Sequence, residues 1–295
     1  MTEPLPSTEG VDERTAAIDR VDTATRVRLL IEAQRGAVDA TLAAADTIAR
    51  AADAVATALR KGGRAIVIGA GTSGRLAVLD ASELWPTFGF PPERYVGRIA
   101  GGDDALRRSI EGAEDDAFAG AAAVADVTAK DVVIGVSASG SAAFVVGALT
   151  AAKSHAARTI ALVNAADTAL ARAADIAIEA LTAAEPIAGS TRMRAGTAQK
   201  IVLNTISTAA MIALGKTYGN RMVDVVATNA KLRDRALRLL RELGGDVGDA
   251  ARLLDAAGGR VKTAVVMARR KVGRETADTL LQGAGGRLAE LMDET

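Results

Sequence analysis

Between residues 65 and 178 short, β-rich apolar runs alternate with alanine-rich helical stretches, and that alternation restricts the fold more than any other feature. The runs are Ala65–Ile68, Tyr95–Ile99, Val132–Val136, Thr159–Val163 and Ile176–Ile178. Strands separated by helices predict βαβ units, and hence a parallel sheet with helices on both faces. Segments such as DVVIGV are apolar at nearly every position, which fits strands buried on both sides. Aromatic residues make up only 2% of the chain. A core of Ala, Val, Leu and Ile suits helices packed closely on such a sheet.

Outside this region the pattern is helical. From Thr23 to about Leu59 apolar positions (Val27, Leu29, Leu30, Ala33) recur at helical spacing and predict two helices. A long helix is expected from Thr197 to about Leu214. From Asn229 onward the sequence is helical and charged, and Gly244-Gly245, Gly258-Gly259 and Gly285-Gly286 mark turns between short helices. The expected organisation is an N-terminal helical segment (1–55), an α/β domain with a doubly wound parallel sheet (56–228) and a small C-terminal helical domain (229–295). Residues 1–20 are polar and are expected to wrap over another element.

Composition removes several function classes. Acids and bases balance at 36 each, so no global field attracts nucleic acid or anionic lipid. The cluster Lys262…Arg269-Arg270-Lys271 reads as a solvated helix face, because neighbouring acids offset its charge. The scarcity of aromatics argues against a base-stacking surface. With no cysteine there are no disulfides, thiolate metal sites or Cys nucleophile. The single histidine, His155, leaves little room for a His-based metal site or triad, and reads as structural or surface. No stretch approaches ~18 uninterrupted apolar residues, so no spanning helix is expected. The first residues carry charges without an apolar core, so no signal peptide is expected and a cytoplasmic location is.

The stretch VIGAGTSGRLAVLDASE holds Gly69, Gly71 and Gly74 in the G-x-G-x-x-G spacing between a strand and a helix. A dinucleotide site would also need an acid about 20 residues on, at the end of the next strand, to bind the ribose. Here that strand ends near Ile99, the next acids are Asp103 and Asp104, and the Pro-rich LWPTFGFPPER intervenes. Thr72 and Ser73 instead place hydroxyls at a helix start beside Gly71, which suits a terminal phosphate monoester. A second hydroxyl-rich turn, Ser137-Ala138-Ser139-Gly140-Ser141, follows the third run, where open α/β sheets bind ligands. A third, Ser190-Thr191-Arg192, precedes the long helix and adds a guanidinium able to pair with phosphate. Each alone reads equally as a capped helix start. Together they predict a phosphosugar pocket.

Two acids stand out beside these loops, Glu83 in DASE and Glu114 in EGAEDD. In the second run like charges raise one another's pKa, which suits a carboxyl group that moves protons near neutrality. Trp85 is expected to pack near Glu83. If residues 74–83 are helical, Glu83 lies roughly 14 Å along the axis from its own glycine loop, at ~1.5 Å per residue. Either the helix ends early, or Glu83 serves a pocket whose phosphate loop comes from elsewhere in the fold or from a second subunit. A site shared across a homodimer is the expectation.

At these residues the chain resembles the N-acetylmuramic acid 6-phosphate etherases of the sugar-isomerase (SIS) superfamily. The matching pieces are GAGTSGRLAVLDASE with PTFG, IAGGDDALRRSIEGAEDD, GSTRMRAGTAQKIVLNTIST and GNRMVDVVATNAKL. The resemblance covers nearly the whole chain. It implies an SIS-type sheet domain with a helical C-terminus, a homodimer, and no metal or organic cofactor. The implied reaction is elimination of D-lactate from C3 of N-acetylmuramic acid 6-phosphate and addition of water, giving N-acetylglucosamine 6-phosphate. By resemblance Glu83 gives a proton to the departing lactate. Glu114 is the other catalytic carboxylate, with C2 proton abstraction as its expected role.

The second loop departs from the family. Where the family reads like A-S-G-R-T-P-Y, this chain has Ala138-Ser139-Gly140 followed by Ser141, Ala142, Ala143 and Phe144, and Asn164-Ala165 stands for the usual Asn-Pro. A lost hydroxyl contact to phosphate is worth about 0.5–1.5 kcal/mol if neutral. That change favours an alternative, a non-catalytic sugar-phosphate-binding regulator of the SIS family. Retention of Glu83 and Glu114 favours the lyase. An aldose–ketose isomerase is the third reading, and the GSTRMRAGTAQK block points away from it.

Overall fold

A computed structural model of the protein describes residues 7–224, 230–245 and 247–292. The five apolar runs form five strands, β1 (Ala65–Gly69), β2 (Tyr95–Ile99), β3 (Val132–Ser137), β4 (Arg158–Val163) and β5 (Ile176–Glu179). They pair in parallel in the order β2-β1-β3-β4-β5. Ala65 is in register with both Tyr95 and Val132. The strand order reverses between β1 and β3, so their C-terminal ends diverge into a crevice open to ligands.

Alternating residues serve the two faces. Ile66, Ile68, Val133, Ala161 and Val163 pack on one side with Phe144, Val145, Ala148 and Leu149 of α6 (Ala143–Ser154). On the other side lies α3 (Ala45–Arg60), which touches β1, β3 and β5. α4 (Gly71–Phe88), α5 (Ala117–Ala122), α7 (Ala169–Ala173) and α8 (Arg194–Ala213) complete the helices that link and flank the strands.

Before the sheet the structure has three helices rather than the expected two, α1 (Thr23–Ala33), α2 (Arg35–Ala43) and α3. The extra break has a long-range cause. The Nε of Arg194 donates to the Ala33 carbonyl at 2.8 Å, and the Ala37 amide turns to Gln34 instead. At the second break the Thr41 hydroxyl donates back to the Ala37 carbonyl, and the turn tightens. No described helix is long and apolar enough to cross a membrane.

The chain divides into two compact units, one running to Ser82 and resuming over Glu93–Ser207, the other made of Glu83–Pro92 and the chain from Thr208 onward. The second unit holds a small hairpin of β6 (Thr217–Tyr218) and β7 (Arg221–Met222), then α9 (Ala230–Leu243), α10 (Ala250–Ala256), α11 (Val261–Arg270), α12 (Arg274–Gly283) and α13 (Ala289–Met292). Its core gathers Leu240, Leu254, Val265, Ala277 and Leu288. The expected boundary at residues 228–229 and part of GNRMVDVVATNAKL lie outside the described residues.

One expectation in this unit is corrected. Lys262 is not on a solvated face. It is 9% exposed and donates to the carbonyls of Gly286 at 2.9 Å and Gly215 at 3.2 Å, with Asp224 at 3.0 Å. Burial pushes its pKa down, and Asp224 opposes that shift. The carbonyls left free at chain turns attract a cation inward, which a count of neighbouring acids does not reveal. His155 caps the C-terminal end of α6 and is exposed.

Asp126, in the segment before β3, accepts hydrogen bonds from Arg98 and Arg64, which hold its carboxyl well below the usual range. Asp12 is held low in the same way, first by Arg14 and further by Arg194, against an opposing push from burial. A carboxylate with a depressed folded pKa contributes stability that is complete above its unfolded pKa of about 3.9 and fades as pH falls below it. Asp80, raised by burial, runs the other way. The unfolding free energy from urea titration is therefore expected to be level from pH 7 to 5 and to decline below about pH 4.

Candidate functional site

The first loop owes its shape to three glycines. A Cβ on Gly69 would sit 2.7 Å from the Gly74 amide, and one on Gly74 would sit 2.5 Å from the Ile99 side chain. Strand end and helix start thus approach closer than any side chain permits. Gly71 takes a left-handed φ of 51° to make the turn. α4 begins there, so the amides of Gly71, Thr72 and Ser73 have no partner earlier in the helix and face the crevice side of the turn.

The second loop ends β3. Ser137 Oγ accepts from the Gly140 amide at 3.1 Å, and Ser139 and Ser141 share a hydrogen bond at 2.8 Å between their hydroxyls. Gly140 has φ 68°, and a Cβ there would collide with Thr168 at 2.4 Å. The third loop is set by a buried pair. Glu185, fully buried, accepts from the amides of Arg194 and Ala195, both at 2.8 Å, at the start of α8. The Arg194 guanidinium, 3% exposed on its side chain, reaches Ala33, Thr182, Ala184 and, at 2.9 Å, Asp12. This pair fastens the N-terminal segment beside the loop.

These loops enclose a cavity of about 330 Å³ at the C-terminal ends of β1 and β3. Gly71, Thr72, Ser73, Ser137, Ser139, Ser141 and Thr191 line it, and Glu114, Asp115 and Glu9 bring carboxylates to the same space, with the Glu9 carboxylate against Gly189 of the third loop. No lysine or arginine is among these lining residues. Hydroxyls and amides beside carboxylates can hold an anion by dipoles while moving protons elsewhere on the ligand.

Glu114 lies on a one-turn 3-10 helix, Ala113–Asp115, entered through Gly112 at a left-handed φ of 71°. Arg75, the residue after Gly74, donates to the carbonyls of Leu106 and Arg108, both at 3.3 Å, and so ties the Glu114 loop to α4. A side cavity of about 190 Å³ adjoins, sharing Ala70, Gly71 and Glu114 with the first. Glu114 is thus the wall between two openings.

Three expected site residues do not line the main cavity. Ser190 is half-buried beside Thr191, and Arg192 is exposed. Glu83 lies on α4, which runs unbroken through Pro86 to Phe88, so the helix does not end early. The residue is exposed and falls in the second unit, and Trp85 is 47% exposed. Two lining residues were not among the expected ones, Asp115, inside the EGAEDD run, and Glu9. Glu9 comes from the TEG stretch near the N-terminus, which lies against Gly189 of the third loop and is tied there by the distant Asp12–Arg194 contact.

The comparisons with known proteins agree with this architecture. Residues 47–153 match the glucokinase regulatory protein N-terminal SIS domain, and residues 112–209 match the SIS domain. An N-acetylmuramic acid 6-phosphate etherase of Deinococcus radiodurans is 47% identical over 100% of this chain and 97% of its own. One of Gloeobacter violaceus is 48% identical over 100% of this chain and 99% of its own. One of Jannaschia is 48% identical over 87% of this chain and 82% of its own. The fold is therefore an SIS-type α/β sheet with additional C-terminal helices, and the chain belongs to the N-acetylmuramic acid 6-phosphate etherase family.

Proposed function

We infer that the protein is a carbon–oxygen lyase that releases D-lactate from N-acetylmuramic acid 6-phosphate and leaves N-acetylglucosamine 6-phosphate. The observation that carries this reading is the meeting of Glu114 with the hydroxyl-lined loops in one cavity, on a chain 47% identical to a named etherase from end to end. The regulator reading gains nothing specific from the cavity, since a pure binder needs neither a general acid nor a general base.

The chemistry runs on the open-chain aldehyde. Glu114 takes the C2 proton, and the electron pair forms the C2=C3 bond as the C3–O bond breaks. Lactate leaves with a proton from Glu83. Water then adds to C3 of the unsaturated aldehyde, and C2 regains a proton. The phosphate rests on the amides of Gly71, Thr72 and Ser73 and on the loops of Ser137, Ser139 and Ser141, with Ser190, Thr191 and Arg192 at the rim. In ¹⁸O-water, D-lactate release with the heavy oxygen at C3 of the sugar supports this path. Lactate release with no label at C3 overturns it, and so does no release at all from folded protein.

Glu83, on the surface of one chain, finds its place in a homodimer in which one copy supplies it to the cavity of the other. Support comes from α1 and α2, which expose Val27 and Ile31, then Val38 and Leu42, at 49%, 65%, 49% and 68%. These pairs stand four residues apart and form an apolar stripe on each helix. The double substitution Ile31→Asp, Leu42→Asp is expected to give a monomer by light scattering and to cut lactate release at least about a hundredfold, the lower end of the range for loss of a general acid. A fully active monomer would sink the shared site. The proposed setting is the cytoplasm and recycling of cell-wall sugar, with a small sugar phosphate, not nucleic acid or membrane, as ligand.

A further inference from the structure

Behind the first loop lies a buried chain of polar side chains whose direction is fixed from one end. The Ala180 carbonyl can only accept, so the Asn164 amide nitrogen faces it, at 2.9 Å. Asn164 Oδ1 then accepts from Gln199 Nε2, also at 2.9 Å. That leaves Gln199 Oε1 toward Ser73, and the Ser73 hydroxyl must donate to it, at 2.9 Å. Ser73, Asn164 and Gln199 are 7%, 0% and 1% exposed, so these bonds lie in a buried, low-dielectric setting that strengthens them.

A hydroxyl has one proton. We propose that the Asn164–Gln199 chain turns the Ser73 proton inward, so that Gln199 is a positioning residue of the phosphate loop and the Ser73 side chain is part of its support rather than a phosphate donor. Ser137 is the opposite case. Its Oγ accepts from the Gly140 amide, which leaves its proton to point into the cavity it lines. Two serines on one wall thus have different work: Ser137 donates to the ligand, and Ser73 locks α4 against α8 and offers only its backbone amide. The inference rests on the sugar-phosphate reading of this cavity.

The test uses the full chain with Ser73→Ala, Gln199→Met, their double variant and Ser137→Ala. Binding of N-acetylglucosamine 6-phosphate is followed by calorimetry, lactate release by kcat and KM, and ligand-free stability by urea unfolding. Ser137→Ala is expected to weaken binding about tenfold or more, as loss of a hydrogen bond to a charged group does. Ser73→Ala and Gln199→Met should each weaken it by a similar smaller factor, and the double variant by no more than either, with the change in KM and not kcat. In urea the two substitutions should couple, because both remove the Ser73–Gln199 bond. A Ser73→Ala loss as large as that of Ser137→Ala, or losses that multiply, would overturn the proposal. If wild type binds no sugar phosphate, the functional reading fails and the unfolding cycle alone decides: coupling upholds the inward hydroxyl, and additivity removes it.

Discussion

Glu114→Gln is expected to lower kcat for lactate release by 10²–10⁴-fold, the range for removing a positioned general base, while the affinity for N-acetylglucosamine 6-phosphate stays within about threefold of wild type. The carboxamide has the size of the carboxylate but no site for the C2 proton. The substitution is clean because Glu114 is exposed on its 3-10 turn, and the turn is held by Gly112 and by the Arg75 bonds to Leu106 and Arg108. Melting temperature should therefore not move. Single-turnover release of lactate, run beside product calorimetry, separates the two effects. A variant within tenfold of wild type in kcat takes the base assignment away from Glu114.

The largest stability effect is expected at Arg194. Arg194→Met removes the cation that satisfies Asp12 and the carbonyls of Ala33, Thr182 and Ala184. Breaking one side of a buried ion pair costs about 3–5 kcal/mol, because the partner is left charged and unpaired. Asp12 has a second cation in Arg14, 2.8 Å away, but the carbonyls have no such reserve. Urea unfolding should show the loss in the midpoint with the slope unchanged. Proteolysis should also cut within residues 7–22 before the rest of the chain opens, since Asp12 is what fastens that segment. A loss below about 1 kcal/mol would mean the guanidinium is replaceable by water, and the clamp would be no clamp.

The sheet was legible because its signal is local. Short β-rich apolar runs set between helical stretches read as strands of a buried parallel sheet, and the structure ends them within a residue or two of where the sequence does. Gly71, Thr72, Ser137 and Ser139 were legible for the same reason: glycine and hydroxyl side chains at a strand end state their own geometry. What stayed hidden depends on contacts distant in sequence. The break after Ala33 is made by a side chain 161 positions on. Glu9 reaches the cavity wall through contacts about 180 positions away, its own with Gly189 and that of Asp12 with Arg194. The buried Lys262 answers to carbonyls of two separate turns. The inward Ser73 hydroxyl follows from a carbonyl in Ala180, and no reading of GTSG alone contains it.

A cavity wall furnished with hydroxyls and amides but no lysine or arginine has a consequence for how each chain meets its ligand. Dipole fields fade with distance faster than those of net charges, and the carboxylates lining the same cavity oppose what field remains. Encounter with a dianion then draws on little beyond the Arg192 charge at the rim, and the on-rate should change less with ionic strength than that of a cationic funnel. Such a wall ignores the bulk of phosphate-bearing solutes until one fits, so selectivity is decided at contact.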